Sequence, residues 1–138
     1  MAGFFFGGNM ASSLEIRDAA ASAPVSTSAL GVIPVGSDYG TVAGSLLQRT
    51  IYNKGDTTAT NVTLSIKQRL TAGFESFTIY LDNGSGAPNT SAPIVSTDGA
   101  VALADIAAAS SVNIWLDASV PSGSSNGARD ATISLLFT

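Results

Sequence analysis

After residue 45 the chain alternates apolar and polar residues with a period of two, the repeat of a strand with one buried face. Residues 46–52 read as a first strand. Residues 60–68 read as a second, with Val62, Leu64 and Ile66 on one face and Thr63, Ser65 and Lys67 on the other. Phe77, Ile79 and Leu81 mark a third. Ile94-Val95 and residues 101–103 mark two short ones, and Val112, Ile114 and Leu116 mark a strong one. Ile133, Leu135 and Phe137 are in phase in the last strand, 131–137. Turn residues punctuate the series. Asn53-Lys54-Gly55-Asp56 reads as a hairpin turn between the first two strands, Asp82-Asn83-Gly84-Ser85-Gly86 as a dense turn, Thr97-Asp98-Gly99 as a hairpin-type corner, and 121–126 as a Ser/Gly loop. Seven short strands with turns between them predict an all-β, two-sheet Greek-key sandwich over residues 45–138.

The first 44 residues have a different texture. A head with Phe4, Phe5 and Phe6 between glycines is followed by the mixed stretch 12–18, a low-complexity run over 19–30, and Gly31-Val32-Ile33-Pro34-Val35-Gly36. The run Ala19-Ala20-Ala21-Ser22-Ala23-Pro24 suits the end of a short helix, after which Val25-Ser26-Thr27-Ser28 suits extended chain. This composition is too apolar for a free tail, so residues 1–44 are expected to be an extended N-terminal arm that docks, on its own domain or on a neighbour. Phe4, Phe5 and Phe6 are its strongest docking residues, each worth roughly 1.5–3 kcal/mol if buried, before ordering costs.

Composition removes several chemistries. The 138 residues suit one domain and contain no His and no Cys, the side chains most used for proton transfer near neutrality, thiol catalysis and transition-metal ligation. Lys54 and Lys67 fall on a polar turn and a polar strand face. Asp82, Asp98, Asp105 and Asp117 lie near turns or strand ends with no motif holding any two together. No enzyme, catalytic residue or cofactor is expected. Asp82-Asn83-Gly84-Ser85 and Asp98-Gly99 look like fragments of calcium loops but lack the acidic ligands that follow in one, and turn chemistry accounts for both, so no metal is expected. Six basic against ten acidic residues give a net charge of −4, with no Lys/Arg cluster for nucleic acid. The head lacks the basic residue of a signal peptide, and no stretch approaches the ~20 apolar residues that cross a bilayer. A soluble chain made in the cytoplasm, without a membrane partner, is the expectation. Only 12% of residues are charged, against about 25% in an ordinary soluble domain, so much of the surface is neutral and cheap to desolvate.

Tyr52, Tyr80 and Trp115 each fall between inward-facing residues and should therefore point away from the main core. On one shared sheet surface they would make an amphipathic platform for a protein partner or a sugar, unless the arm folds over it.

The stretch from Ile51 to Ile66, hydrophobic-x-Asn-x-Gly-Asp-x-x-Ala-x-Asn-Val-x-Leu-x-Ile, resembles the first hairpin of bacterial and phage immunoglobulin-like modules. Ile106-Ala107-Ala108-Ala109-Ser110 before Val112-x-Ile114-x-Leu116, then Val120-Pro121 and Gly127, resembles their C-terminal part. An arm followed by a single module is similar in layout to the capsid decoration (cement) proteins of tailed phages. That resemblance implies a structural virion protein whose partner is the major capsid protein or another virion protein, with homo-oligomers, trimers in particular, suiting a three-fold lattice position. Two other readings stay open: a surface module that binds carbohydrate through Tyr80 and Trp115, and a tail or neck component of the same particle.

Overall fold

The computed structural model of the chain describes residues 11–34, 36–69, 76–122 and 130–138. Phe4, Phe5 and Phe6 lie outside the described residues. The elements in chain order are strands β1 (Leu14–Arg17) and β2 (Ser37–Asp38), one helical turn α1 (Tyr39–Ala43), then β3 (Leu47–Asn53), β4 (Thr63–Arg69) and β5 (Ser76–Leu81). A 3-10 turn at Ser96–Asp98 precedes β6 (Val101–Ala102), β7 (Ser111–Val120) and β8 (Asp130–Leu136). All strand pairs are antiparallel, and the fold is all-β as the periodicity predicts.

Two sheets enclose one core. In the first the order is β1-β3-β7-β5, and in the second β6-β4-β8. At Ser119, β7 pairs with β5 on one side and β2 on the other, and at Leu116 with β5 and β3. β2 and β3 are therefore one line of chain along the same edge of β7, interrupted by α1. Ile51, Ile79 and Ile114 from the first sheet face Val62, Leu64 and Ile66 from the second, with Ala59, Ile94 and Ile106 closing the rim. These positions alternate with polar residues because successive side chains in a strand point to opposite faces.

Two corners expected to be hairpins are instead crossings between sheets. β3 and β4 do not pair with each other: β3 lies between β1 and β7, and β4 between β6 and β8. The reason is packing, since Ile51 and the Val62, Leu64, Ile66 face bury each other only across the core, and side-by-side pairing would leave both on the same layer. Asn61 takes the left-handed conformation (φ 51°) at the entry to β4 and donates from Nδ2 to Thr138 Oγ1 at 3.0 Å. The corner at 97–99 behaves likewise. Ile94 bridges to Ile79 in the first sheet while Val101 pairs with Leu64 in the second, and Asp98 Oδ2 accepts the Val95 N–H at 2.7 Å to tie the crossing. Nor does 19–24 form the end of a helix. Asp18 N–H donates to Ala23 O and Val25 N–H to Ile16 O, folding the chain back along β1.

Segment 1–44 thus contributes β1 and β2 to the first sheet, and its attachment centres on one buried amide. Asn53 occupies the inward phase of β3, two residues after Ile51, and is fully buried. Its Oδ1 accepts the N–H of Ser13 (3.1 Å) and of Gly55 (2.9 Å), and its Nδ2 donates to the carbonyls of Thr57 (2.8 Å) and Ile106 (2.9 Å). All its side-chain donors are used, and both partners of Oδ1 are main-chain amides. Beside it, Lys54 and Asp56 donate their N–H groups to Ser13 O and Ala11 O. Gly55 sits so close to this strand that a Cβ would stand 2.1 Å from Ala11 O. Its φ is not positive, so the glycine is required by close approach and not by a left-handed turn.

Asn53→Ala would strand main-chain groups at three chain segments and is expected to cost about 3 kcal/mol, read as a fall in the urea midpoint with an unchanged m-value. Gly55→Ala should act more locally. Hydrogen exchange at residues 12–17 should accelerate while β3 and β7 keep their protection.

Candidate functional site

The outward face of the first sheet carries the aromatic residues singled out above. Register places Tyr80 directly opposite Trp115 and Trp115 opposite Gln48, while Tyr52 lies opposite Ser111 on one side and Glu15 on the other. Tyr52 and Gln48 are four residues apart on β3, so the Tyr52 row is about 13 Å along the strands from the Tyr80–Trp115 row. The face is shared, but its two ends differ in chemistry.

At the first end, the Arg17 guanidinium stacks 3.8 Å from the centre of the Tyr52 ring and donates from Nε to Glu15 Oε2 at 2.6 Å. Lys54 Nζ reaches Glu15 Oε1 at 3.1 Å. A cation between a ring and a carboxylate is held from two sides, which fixes β1 on β3 through side chains as well as the ladder. The Arg17 hydrogen bond, then that of Lys54, holds the Glu15 carboxyl below its usual range. Lys54-Gly55-Asp56 is therefore no presented loop tip, because Lys54 is paired and Gly55 backs onto residues 11–12.

Across the middle runs a polar ladder. Gln48 Nε2 donates to Asn113 Oδ1 (3.3 Å), Asn113 Nδ2 donates to Asp82 Oδ2 (3.2 Å), and Asp82 Oδ1 accepts the N–H groups of Gly84 (2.7 Å) and Gly86 (3.1 Å). The Asn113 amide and then these backbone amides lower the Asp82 pKa. A carboxylate so engaged organises a turn. Among the described residues no three His, Cys, Asp or Glu side chains gather into a metal-sized group.

At the other end Trp115 is only 6% exposed although it stands outside the main core cluster. The segment before β3 is fastened to the same face beside it. Gly40 N–H donates to Asp117 Oδ1 at 2.9 Å, two residues along the same face, while Asp38 Oδ1 caps α1 by accepting the Thr41 N–H at 2.7 Å. These bonds hold α1 against β7. Tyr80 is half-buried beside them, and burial first, then the Asp117 and Asp38 carboxylates, pushes its phenol above the usual value. The sequence pointed to the three aromatics but not to Asp38, Gly40 and Asp117, because a single helical turn inside a strand line has no periodic signature.

No protein-family model, curated protein or solved structure matches the chain.

Two outcomes are expected. Trp115→Ala should destabilise the fold by roughly 3–5 kcal/mol in chemical denaturation, as removal of a buried indole does. Carboxylates with lowered folded-state pKa values give stability that is present at neutral pH and lost as pH falls through those values. The urea midpoint should therefore drop as pH falls below about 4.5, the ordinary value for Glu15. Glu15→Gln should lower the midpoint at pH 7 and flatten that acid slope.

Proposed function

We propose that this chain is a structural virion protein with an immunoglobulin-like Greek-key module, and that it decorates or cements the major capsid protein lattice of a tailed phage. The observation that carries this reading is the clamp on residues 11–17. Asn53, Gly55 and the Glu15–Arg17–Lys54 group fasten residues 11–17 to a sheet edge, and Phe4, Phe5 and Phe6 lie only a few positions earlier in the sequence. Three consecutive phenylalanines so near in sequence to an anchored segment suit insertion into a seam between lattice subunits, where many weak copies add by multivalency. The exterior of the second sheet, with the small hydroxyls of Thr63, Ser65, Thr132 and Ser134 in outward phase beside Lys67, supports contact with a packed protein surface, since most of it costs little to desolvate. Homo-oligomers, trimers included, and a location on the particle belong to the same proposal. A carbohydrate site on Tyr80 and Trp115 is disfavoured by the burial of Trp115.

The test is co-sedimentation of the full-length protein with shells of the major capsid protein encoded in the same genome. Saturable binding at a fixed ratio and greater heat resistance of the shells are expected, both lost on deletion of residues 1–8 with the melting temperature of the module unchanged. Binding to isolated tails or necks and not to shells would move the protein to those parts of the particle. Binding to none of these would overturn the virion reading.

A further inference from the structure

The second sheet ends in an edge with which no strand among the described residues pairs. β8 pairs with β4 along its whole length, from Asp130 opposite Arg69 to Leu136 opposite Thr63, and has no strand on its other side among the described residues. Thr138 both donates to and accepts from Thr60, so the main-chain groups of Thr138 point toward β4. Alternation along an antiparallel strand then turns the N–H and C=O groups of Ile133, Leu135 and Phe137 to the open side.

Other edges of the sandwich are protected. The outer side of β1 is met by residues 23–25 folding back and carries Glu15 and Arg17. The outer side of β5 is met by Ile94, and β6 is two residues long. β8 has none of these devices. Residues 131–138 read Ala-Thr-Ile-Ser-Leu-Leu-Phe-Thr, with no charge, proline or glycine, and Leu136 is 68% exposed. A long, neutral, partly apolar edge is a template for another strand.

We propose that this edge pairs with β8 of a second copy, antiparallel about a two-fold axis, joining two three-stranded sheets into one of six. The sequence is self-complementary in the way such a contact demands. A register centred on Ser134 pairs every residue from 130 to 138. It sets Ile133 against Leu135 and Ala131 against Phe137 on the inner face, and Thr132 against Leu136 on the outer. Open-side main-chain groups then meet open-side groups, and residues 131–137, which pair among themselves across the axis, carry no charged side chain. The contact consumes the one long unpaired edge among the described residues, so association through this edge closes at two copies. The inference stands on β8 alone and does not depend on the virion reading.

Two variants of the full chain test it. Because the chain has no cysteine, Ser134→Cys introduces a single thiol. At the axis it forms a non-hydrogen-bonded pair, whose Cα separation of about 4.5 Å lies within disulfide range. Mild oxidation should give nearly complete disulfide dimer, while Ser85→Cys, in an exposed turn of the first sheet, should give little. Size-exclusion chromatography with light scattering should show a wild-type dimer and a monomeric, folded Ser134→Lys, which opposes two ammonium groups at the axis. Equal cross-linking at positions 85 and 134, a wild-type monomer at every concentration, or an oligomer indifferent to Ser134→Lys would each overturn the proposal. A monomer that dimerises only after deletion of residues 1–8 would give the edge to the chain's own N-terminus and overturn it as well.

Discussion

Asn53 is the point at which three separate stretches of the chain, at residue 13, at 55–57 and at 106–110, are held together. A buried amide with two donors and one acceptor oxygen is costly unless all are used, and here they join residue 13, the turn at 55–57 and the carbonyl of Ile106. The main chain of the same residue donates to Ser110 O and accepts from Ala109 N–H. One residue thus fixes where β1 joins the first sheet, how the chain leaves β3 toward β4, and how it returns toward β7. Hydrophobic burial of the surrounding isoleucines supplies most of the driving force, but it is not directional. The amide selects which segments meet at this end of the sandwich.

That division of labour explains what could be seen in the sequence. The strands at 47–53, 63–69, 76–81, 111–120 and 130–136 were legible because their inward residues recur every second position. Which strands pair was not. The corners at 53–56 and 97–99 carry residues that serve hairpins and inter-sheet crossings equally well, and the choice is made by distant partners such as Ile106 for Ala59 and Ile79 for Ile94. The role of Asn53 did leave a trace: it falls in phase with Ile51, and a polar side chain at an inward position signals a satisfied buried group. β2 and α1 left almost none, being two and five residues long. For the candidate site, the outward phase of Tyr52, Tyr80 and Trp115 was readable, whereas the burial of Trp115 and the anchoring of α1 to Asp117 were not.

The acidic excess looks different once its positions are known. Asp18, Asp38, Asp82, Asp98 and Asp117 each accept a main-chain N–H, from Ser22, Thr41, Gly84 and Gly86, Val95 and Gly40 respectively. These carboxylates shape turns and caps, which is why a net charge of −4 produces neither a metal-sized cluster among the described residues nor a signal for a basic partner. Glu15 is occupied by Arg17 and Lys54 in the same spirit.

With only 12% of its residues charged and several carboxylates tied into turns, the molecule offers few charged side chains free for contact with a partner. Recognition must then rest on what acts at contact: apolar side chains, main-chain edges and neutral hydroxyl surface. Those features are unevenly distributed. The first sheet has its β1 edge met by residues 23–25 and its broad face occupied by the polar ladder and α1, while the second keeps, among the described residues, an unpaired strand and a face of threonine and serine beside Lys67. The sandwich is therefore asymmetric in its capacity to associate. Contacts made through the second sheet can form without dismantling any interaction that holds the fold together, whereas contacts through the first sheet would compete with the clamp at Asn53 or the anchoring of α1 to Asp117. A module built this way can be joined to copies of itself, or to a larger assembly, at no cost to its own stability.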